Sequence, residues 1–199
     1  MIRWLYRNQT VYEFIMLLLY QQHYASRYRV IAELIPTGAT VLDVCCGPAV
    51  LYTRFLSDKG VNYIGLDLNN HFATTESKGI KMIRADLAII PELPAADFVV
   101  MQASLYHFLP HSVVSVIGKM LKAAKQNVII AEPVRNLSSS RLTWLARLAQ
   151  TLTDCGSGTP ISRFDEKSLA AAMAPFAEMI EQSFQIEGGR EIVYVLRAR

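Results

Sequence analysis

Short apolar runs alternate along the chain with longer stretches in which apolar residues recur at helical spacing. Five of these runs have an acidic or polar residue at or near their end, which is typical of buried parallel strands. The five predicted strands are 41–44, 62–66, 80–84, 97–101 and 127–131. Strands that alternate with helices predict an α/β fold, in which helices cover both faces of a doubly wound, mostly parallel sheet.

The two ends of the chain depart from this alternation. Residues 1–36 predict a helical N-terminal extension, which Pro36 and Gly38 bring to an end. At the other end, the runs 180–187 and 190–196 flank two glycines and predict an antiparallel C-terminal hairpin. A chain of 199 residues is long enough for one core, so we expect residues 1–199 to form a single domain.

Composition narrows the setting of the protein. Hydrophobic residues make up 52% of the chain, yet the longest apolar stretch, Phe14–Tyr20, is far shorter than the ~20 residues that span a bilayer. We therefore expect no stable membrane insertion, although the basic and aromatic residues 3–7 allow a membrane-surface role. The net charge of +3 is too small to indicate nucleic acid.

The cysteines and the start of the chain indicate the compartment. Three cysteines, two of them adjacent, do not make a disulfide framework, and no signal peptide is evident. Both observations predict a cytoplasmic protein. No histidine or cysteine spacing indicates a metal site.

Candidate chemistry lies where the first three predicted strands end. Asp43 interrupts the first strand, and a loop of small residues with Gly47 at its centre follows. Asp67 ends the second strand about 20 residues past Gly47, a spacing at which a carboxylate can reach the ribose of a nucleoside ligand. Asp86 and Leu87 follow the third strand. Since parallel strands end at one edge of a sheet, these residues predict a ligand site there.

Together these residues resemble the cofactor motifs of the class I S-adenosylmethionine-dependent methyltransferases. The family's loop usually reads acid-x-Gly-x-Gly-x-Gly, whereas this chain keeps Gly47 and has Cys45 and Ala49 at the outer positions. The resemblance implies a Rossmann-like sheet, an enzyme that transfers a methyl group, and S-adenosyl-L-methionine as its cofactor. It also implies that the N-terminal extension forms a lid over the substrate, whereas packing against the sheet edge is the alternative.

A nicotinamide dinucleotide site is the competing interpretation of the same loop. Such a site needs Gly-x-Gly-x-x-Gly, so that the pyrophosphate approaches backbone amides at a helix start. This loop has one glycine, and Pro48 removes an amide donor. The loop therefore favours a ligand that joins a nucleoside to an amino acid tail and has no phosphate.

The resemblance implies a role for each cofactor residue. Asp67 would accept hydrogen bonds from both ribose hydroxyls, Asp86 and Leu87 would contact the adenine, and Asp43 would orient the methionine amino group. The predicted cofactor-binding residues are Asp43, Cys45, Gly47, Asp67, Leu68, Asp86, Leu87 and Gln102.

The segment after the fourth strand carries the candidate general base. Residues 102–110 resemble the family's segment small-x-Leu-His-His-Leu-x-Asp/Pro, with Tyr106 at the first histidine position and His107 at the second. His107 and Glu132 are the predicted catalytic residues, because a base is needed when the methyl acceptor must lose a proton. The alternatives are a structural ring for His107 and a capping or ion-paired acid for Glu132.

Two classes of function remain open. The first is an enzyme that methylates oxygen, nitrogen or carbon of a small molecule. The second is a non-catalytic partner subunit that binds S-adenosylmethionine, which the altered loop permits. No Asp/Asn-Pro-Pro-Tyr/Phe motif follows the fourth strand, so methylation of nucleic-acid bases is disfavoured. Trp144, flanked by Arg141 and Arg147, either grips a flat or anionic substrate or belongs to an ordinary amphipathic helix.

Overall fold

The computed structural model describes residues 24–69, 80–134, 162–188 and 190–198. Three predicted features lie outside these residues: the first part of the N-terminal extension, the helix that opens at His71, and the helix over 139–152 that contains Trp144.

One seven-stranded sheet organises the described residues, in the order β3-β2-β1-β4-β5-β7-β6. Its strands β1 to β5 are mutually parallel, and β7 runs antiparallel to both β5 and β6. The predicted mostly parallel sheet with an antiparallel C-terminal hairpin is therefore confirmed. The strands are β1 (Thr40–Val44), β2 (Asn62–Asp67), β3 (Ile80–Arg84), β4 (Ala96–Gln102), β5 (Ala124–Pro133), β6 (Ile180–Gln185) and β7 (Glu191–Arg197).

Two apolar clusters lie on opposite faces of this sheet, because successive strand residues point to opposite sides. Leu42 belongs to one cluster and Val41 to the other. The Leu42 cluster includes residues of two helices, and the Val41 cluster includes residues of a third. These helices are α1 (Tyr24–Leu34) in the Val41 cluster, with α2 (Val113–Ala123) and α3 (Glu166–Met173) in the Leu42 cluster.

The sequence pattern predicts a helix over 111–125 with Val113, Val114, Ile117, Met120 and Leu121 as its buried stripe, and this stripe is wrong at one position. Val114 is 52% exposed, whereas Val116 is buried. The inward stripe runs through 113, 116, 117, 120 and 121, and position 114 lies about 100° away from 113. The helix also ends earlier than expected, because β5 already begins at Ala124.

Local signals account for the other helix ends. Asp165, one of two expected caps, begins α3 with a capping box, in which its Oδ1 accepts from Ser168 N at 2.7 Å. The expected helix between β1 and β2 is irregular, with a π-helical turn over Tyr52–Leu56 and a 3₁₀ turn over Ser57–Lys59. It ends at Gly60, whose φ of 61° favours glycine.

Candidate active site

The loop after β1, residues 45–49, turns through three left-handed residues. The φ angles are 59° at Cys45, 55° at Gly47 and 53° at Ala49. A residue with a side chain pays about 1–2 kcal/mol for this conformation. Backbone hydrogen bonds hold it in place, since Cys45 N donates to Leu66 O at 2.7 Å and Ala49 N donates to Cys46 O at 3.1 Å. Glycine-like backbone geometry is thus present at all three positions where the resemblance expects glycine.

Asp67 connects this loop to the end of β2. Its Oδ2 accepts from Gly47 N at 2.9 Å, and its Oδ1 accepts from Asn69 N at 2.8 Å. Burial raises the pKa of Asp67, while these backbone donors lower it in part. The carboxyl group predicted to hold a ribose therefore lies directly against the β1 loop.

Asp86 follows β3 at the same edge of the sheet. Ala85 N donates to Asp67 O at 3.2 Å, which places Asp86 one residue from a direct contact with the end of β2. The Asp86 carboxylate closes its own turn by accepting from Ala88 N at 2.8 Å. Leu87 is buried, and Lys119 Nζ of α2 donates to its carbonyl oxygen at 3.1 Å. The structure therefore brings together the segments after β2 and β3, as the sequence predicted.

Asp43 is 3% exposed, in the middle of the sheet. Its Oδ2 accepts from the hydroxyl of Tyr63 at 2.6 Å. Desolvation raises the pKa of Asp43 to about 7, the Tyr63 hydrogen bond lowers it, and Asp67 raises it further. Sequence reasoning missed Tyr63, although a tyrosine within a buried strand is itself a signal, because its hydroxyl needs a partner.

The two adjacent cysteines of the loop pack as small side chains. Burial raises the pKa of both thiols, so Cys45 and Cys46 are neutral at physiological pH. Cys46 and Met82 fill the space above Gly65 of β2. A Cβ on Gly65 would lie 2.6 Å from Met82 Sδ and 2.8 Å from Cys46 Sγ. Because glycine has no Cβ, Gly65 leaves room for the side chains of Cys46 and Met82 against β2.

The segment after β4, residues 103–108, forms the other half of this edge. Gln102 ends β4, and its Nε2 donates to Arg27 O of α1 at 3.3 Å. Ala103 has a φ of 47°, and a 3₁₀ turn over Leu105–Phe108 follows. This turn carries the predicted base His107 and places it beyond the end of β4, the strand that pairs with β1.

Glu132 is fully buried and holds that segment through its backbone. Its Oε1 accepts from Ser104 N and from Leu105 N, both at 2.6 Å. No described residue donates to Oε2. Desolvation raises the pKa of Glu132 to about 8, although the two amides oppose the shift. These contacts are to backbone and not to His107, and the catalytic role of Glu132 stays a prediction.

A buried ion pair lies beside Glu132 and was not predicted. Arg27 Nη2 of α1 lies 3.2 Å from Glu191 Oε1 at the start of β7, and both side chains are buried. Glu191 also raises the pKa of Glu132, whereas Arg27 lowers it. No local pattern in the sequence joins residues so far apart, and only their meeting in the fold reveals the pair.

The ring of Tyr106 contacts both His107 and Arg163. The ring centroids of Tyr106 and His107 are 4.0 Å apart, and Arg163 Cζ lies 4.0 Å above the Tyr106 ring. Desolvation and then Arg163 lower the pKa of His107 to about 4, although the residue is exposed at the surface. The imidazole is therefore neutral at pH 7. Sequence reasoning also missed Arg163.

Within the described residues, no group of three or more histidine, cysteine or acidic side chains could hold a metal ion. Over the same residues, each helix is too short or too polar to cross a membrane.

The strand order, the antiparallel β7 and the loop geometry after β1 define the Rossmann-like fold of the class I methyltransferases. The chain belongs to the MetW family: the family model described as methionine biosynthesis protein MetW matches residues 25–187. A comparison with curated proteins finds no significant match.

Solved structures agree with this fold. Magnesium protoporphyrin IX methyltransferase of Synechocystis PCC 6803, solved with bound SAH, has a TM-score of 0.64 at 14% identity, with 98% of this chain and 97% of that chain covered. A SAM-dependent methyltransferase of Aquifex aeolicus has a TM-score of 0.60 at 15% identity, covering 92% and 97%. The complex of the Haloferax volcanii Trm112 activator with a methyltransferase gives 0.66 at 12% identity, covering 92% and 93%. At these identities the likeness concerns the fold alone.

Proposed function

We propose that this protein binds S-adenosylmethionine and transfers its methyl group to a small molecule. The observation that carries the proposal is the chain of hydrogen bonds along one edge of the sheet. It joins Gly47 of the β1 loop to Asp67, and Asp67 to Ala85 beside Asp86. A nucleoside with an amino acid tail has the size and the polarity to lie along this edge.

The adenosine end would lie over the ends of β2 and β3. Each carboxylate oxygen of Asp67 has about two acceptor sites, and one described backbone amide donates to each, so both oxygens can also accept from ribose hydroxyls. Leu68 next to it is 61% exposed and offers an apolar surface to the flat base. Asp86 and the backbone at Leu87 would bind the polar edge of the adenine.

The methionine end would lie over the ends of β1 and β4. The pKa of Asp43 is raised to about 7, so a ligand ammonium group beside it would favour the ionised carboxylate. Cys45 and Gly47 would line the tail with their backbone, and Gln102 would contact it from β4. The sulfonium would then face the segment that carries His107.

In-line transfer from this position needs little further chemistry from the protein. The acceptor atom forms a bond to the methyl carbon, while the carbon–sulfur bond breaks and leaves a neutral thioether. Holding the two reactants in line can supply about 7–11 kcal/mol. His107, neutral at pH 7, would take the proton of an acceptor that must lose one. Glu132 would act as a positioning residue, because it holds the backbone of Ser104 and Leu105.

Calorimetric titration with S-adenosylmethionine and with S-adenosylhomocysteine tests the cofactor. We expect heat of binding and a raised melting temperature with both compounds. Absence of both signals would overturn the proposal. Accumulation of S-adenosylhomocysteine in the presence of a panel of small acceptors tests the enzyme.

A non-catalytic subunit that binds S-adenosylmethionine is the second candidate. The side chains at Cys45 and Ala49 favour it, since they put Cβ atoms in the loop along which a cofactor would pass. The Haloferax volcanii methyltransferase in the comparison was solved with an activator protein, so the fold also occurs in assemblies. Binding of the cofactor without any S-adenosylhomocysteine accumulation would favour this candidate over the enzyme.

A further inference from the structure

We propose that Arg163 binds a carboxylate of the methyl acceptor, so that the substrate is a small carboxylic acid whose anionic group lies beside His107. This inference rests on the proposed function, because it places the acceptor at the β4 end of the site.

The two residues that follow Arg163 fix the backbone next to it. Phe164, the next residue, is buried in the core, and Asp165 caps α3. Arg163 itself is only partly buried, and its guanidinium lies over the ring of Tyr106 at 4.0 Å. The N–H groups of a guanidinium lie in its own plane, so an arginine that packs on a ring can still receive a carboxylate in a bidentate manner.

The acids of the described residues leave the charge of Arg163 unpaired. Their ion pairs join Arg27 to Glu191, Lys122 to Glu92 and Arg197 to Glu181, and none of these involves Arg163. The neighbouring carboxylate of Asp165 accepts instead from Ser168 as the cap of α3. A partly buried cation that the described acids do not neutralise is most stable with an anion from outside.

Arg163 reaches the candidate base through Tyr106. Tyr106 and His107 belong to the segment after β4, and their rings are 4.0 Å apart. An anion on Arg163 would therefore lie beside the candidate base and away from Asp67 and Asp86. It would also offset the charge of Arg163, which lowers the pKa of His107. Binding of an acidic substrate would in this way strengthen the base that acts on it.

Benzoate and benzamide form a matched pair of probes, since they share a ring and differ in charge. NMR of the arginine Nε–H groups, with and without S-adenosylhomocysteine, follows the Arg163 signal, identified by its absence in Arg163→Gln or Arg163→Lys. We expect benzoate to shift this signal saturably, and benzamide or an equal concentration of chloride to leave it in place. We also expect benzoate to raise the pKa of His107, followed through its ring protons.

Arg29→Gln, a change at an exposed arginine of α1, is the control variant and should keep the full benzoate response. Arg163→Gln should raise the pKa of His107 without benzoate and weaken benzoate binding about 10-fold or more. Equal shifts with benzoate and benzamide, or no shift of the Arg163 signal, would overturn the inference. Loss of S-adenosylhomocysteine binding in the wild type would count against the proposed function alone, because the benzoate titration is also made without it.

Discussion

The two halves of the sheet's carboxyl edge use their acidic residues in opposite ways. At the ends of β1 to β3, the acids lie on or next to the loops that would touch a ligand, and Asp67 and Asp86 each accept from the backbone amide two residues further on. At the ends of β4 and β5, the acid Glu132 is fully buried and accepts hydrogen bonds from the backbone of the segment after β4. The groups left to face a ligand there are aromatic, imidazole and guanidinium groups.

This difference teaches how the site divides its work. The half made of β1 to β3 consists of three strand–loop units, each of which carries its own acid. The half made of β4 and β5 depends on elements from both ends of the chain, since Arg27 of α1 meets Glu191 of β7 beside Glu132. The first half is therefore assembled from neighbouring segments, whereas the second depends on contacts between distant parts of the chain.

The largest expected effect comes from removing the acid at the end of β2. Asp67→Ala should abolish most of the melting shift caused by S-adenosylmethionine, because two hydrogen bonds to a charged group are lost, about 3–6 kcal/mol in total. Calorimetric titration measures the change. Asp58→Ala, at an exposed acid outside the site, should bind the cofactor as the wild type does. A wild-type affinity in Asp67→Ala would show that the cofactor does not lie along this edge.

The next effect is a pH dependence at the end of β1. The carboxyl group of Asp43 is protonated up to about pH 7 when the protein is folded, but only up to about pH 3.8 when it is unfolded. The free energy of unfolding should therefore fall as the pH rises from 4 to 7, by up to about 4 kcal/mol from this group. Urea denaturation from pH 5 to pH 8 measures it, with Asp43→Asn as the reference that lacks the group.

Tyr63→Phe should shift the pKa of Asp43 further, in contrast to Asp43→Asn, which removes the titrating group. It removes the hydroxyl that donates to Asp43 at 2.6 Å, so the pKa of Asp43 should rise further and the loss of stability should extend to higher pH. Identical pH profiles for the wild type and Asp43→Asn would contradict both statements.

A third effect concerns the other half of the edge. Glu132→Ala leaves the buried amides of Ser104 and Leu105 without their acceptor, so the free energy of unfolding should fall by about 2–4 kcal/mol. Glu132→Gln keeps an oxygen at the same place and should restore most of it. NMR signals of the His107 ring should move in the alanine variant and return in the glutamine variant. Unmoved signals in Glu132→Ala would argue against a positioning role.

The smallest expected effect comes from relieving backbone strain, which occurs in both halves of the edge at non-glycine residues with a left-handed φ. Ala103→Gly relieves a left-handed φ of 47° and should raise the free energy of unfolding by about 0.5–1 kcal/mol, after the extra entropy cost of glycine. Ala170→Gly, at an exposed position inside α3, should lower it by about 1 kcal/mol. Thermal unfolding of the two variants compares them directly, and a loss of stability in both would show that Ala103 is not strained.

Much of the first half could be predicted from the sequence for a physical reason. A buried parallel strand is a continuous apolar run, and a residue that follows it necessarily lies at the carboxyl edge. That rule alone predicts that Asp67 and Asp86 lie at one edge of the sheet. The expected stripe of α2 was wrong only at Val114, because an apolar residue near the edge of the buried face is not distinguished from one inside it by the sequence pattern alone.

The sequence by itself determined which strands end in an acid, the antiparallel hairpin at the C-terminus and the cap of α3. Each of these features depends on residues that are neighbours in the chain. Only the tertiary structure decided which groups meet across the fold: Tyr63 with Asp43, Glu132 with the amides after β4, and Arg163 with Tyr106. Packing sets these contacts between residues that are distant in the chain, and no periodicity records which of many compatible side chains becomes the partner.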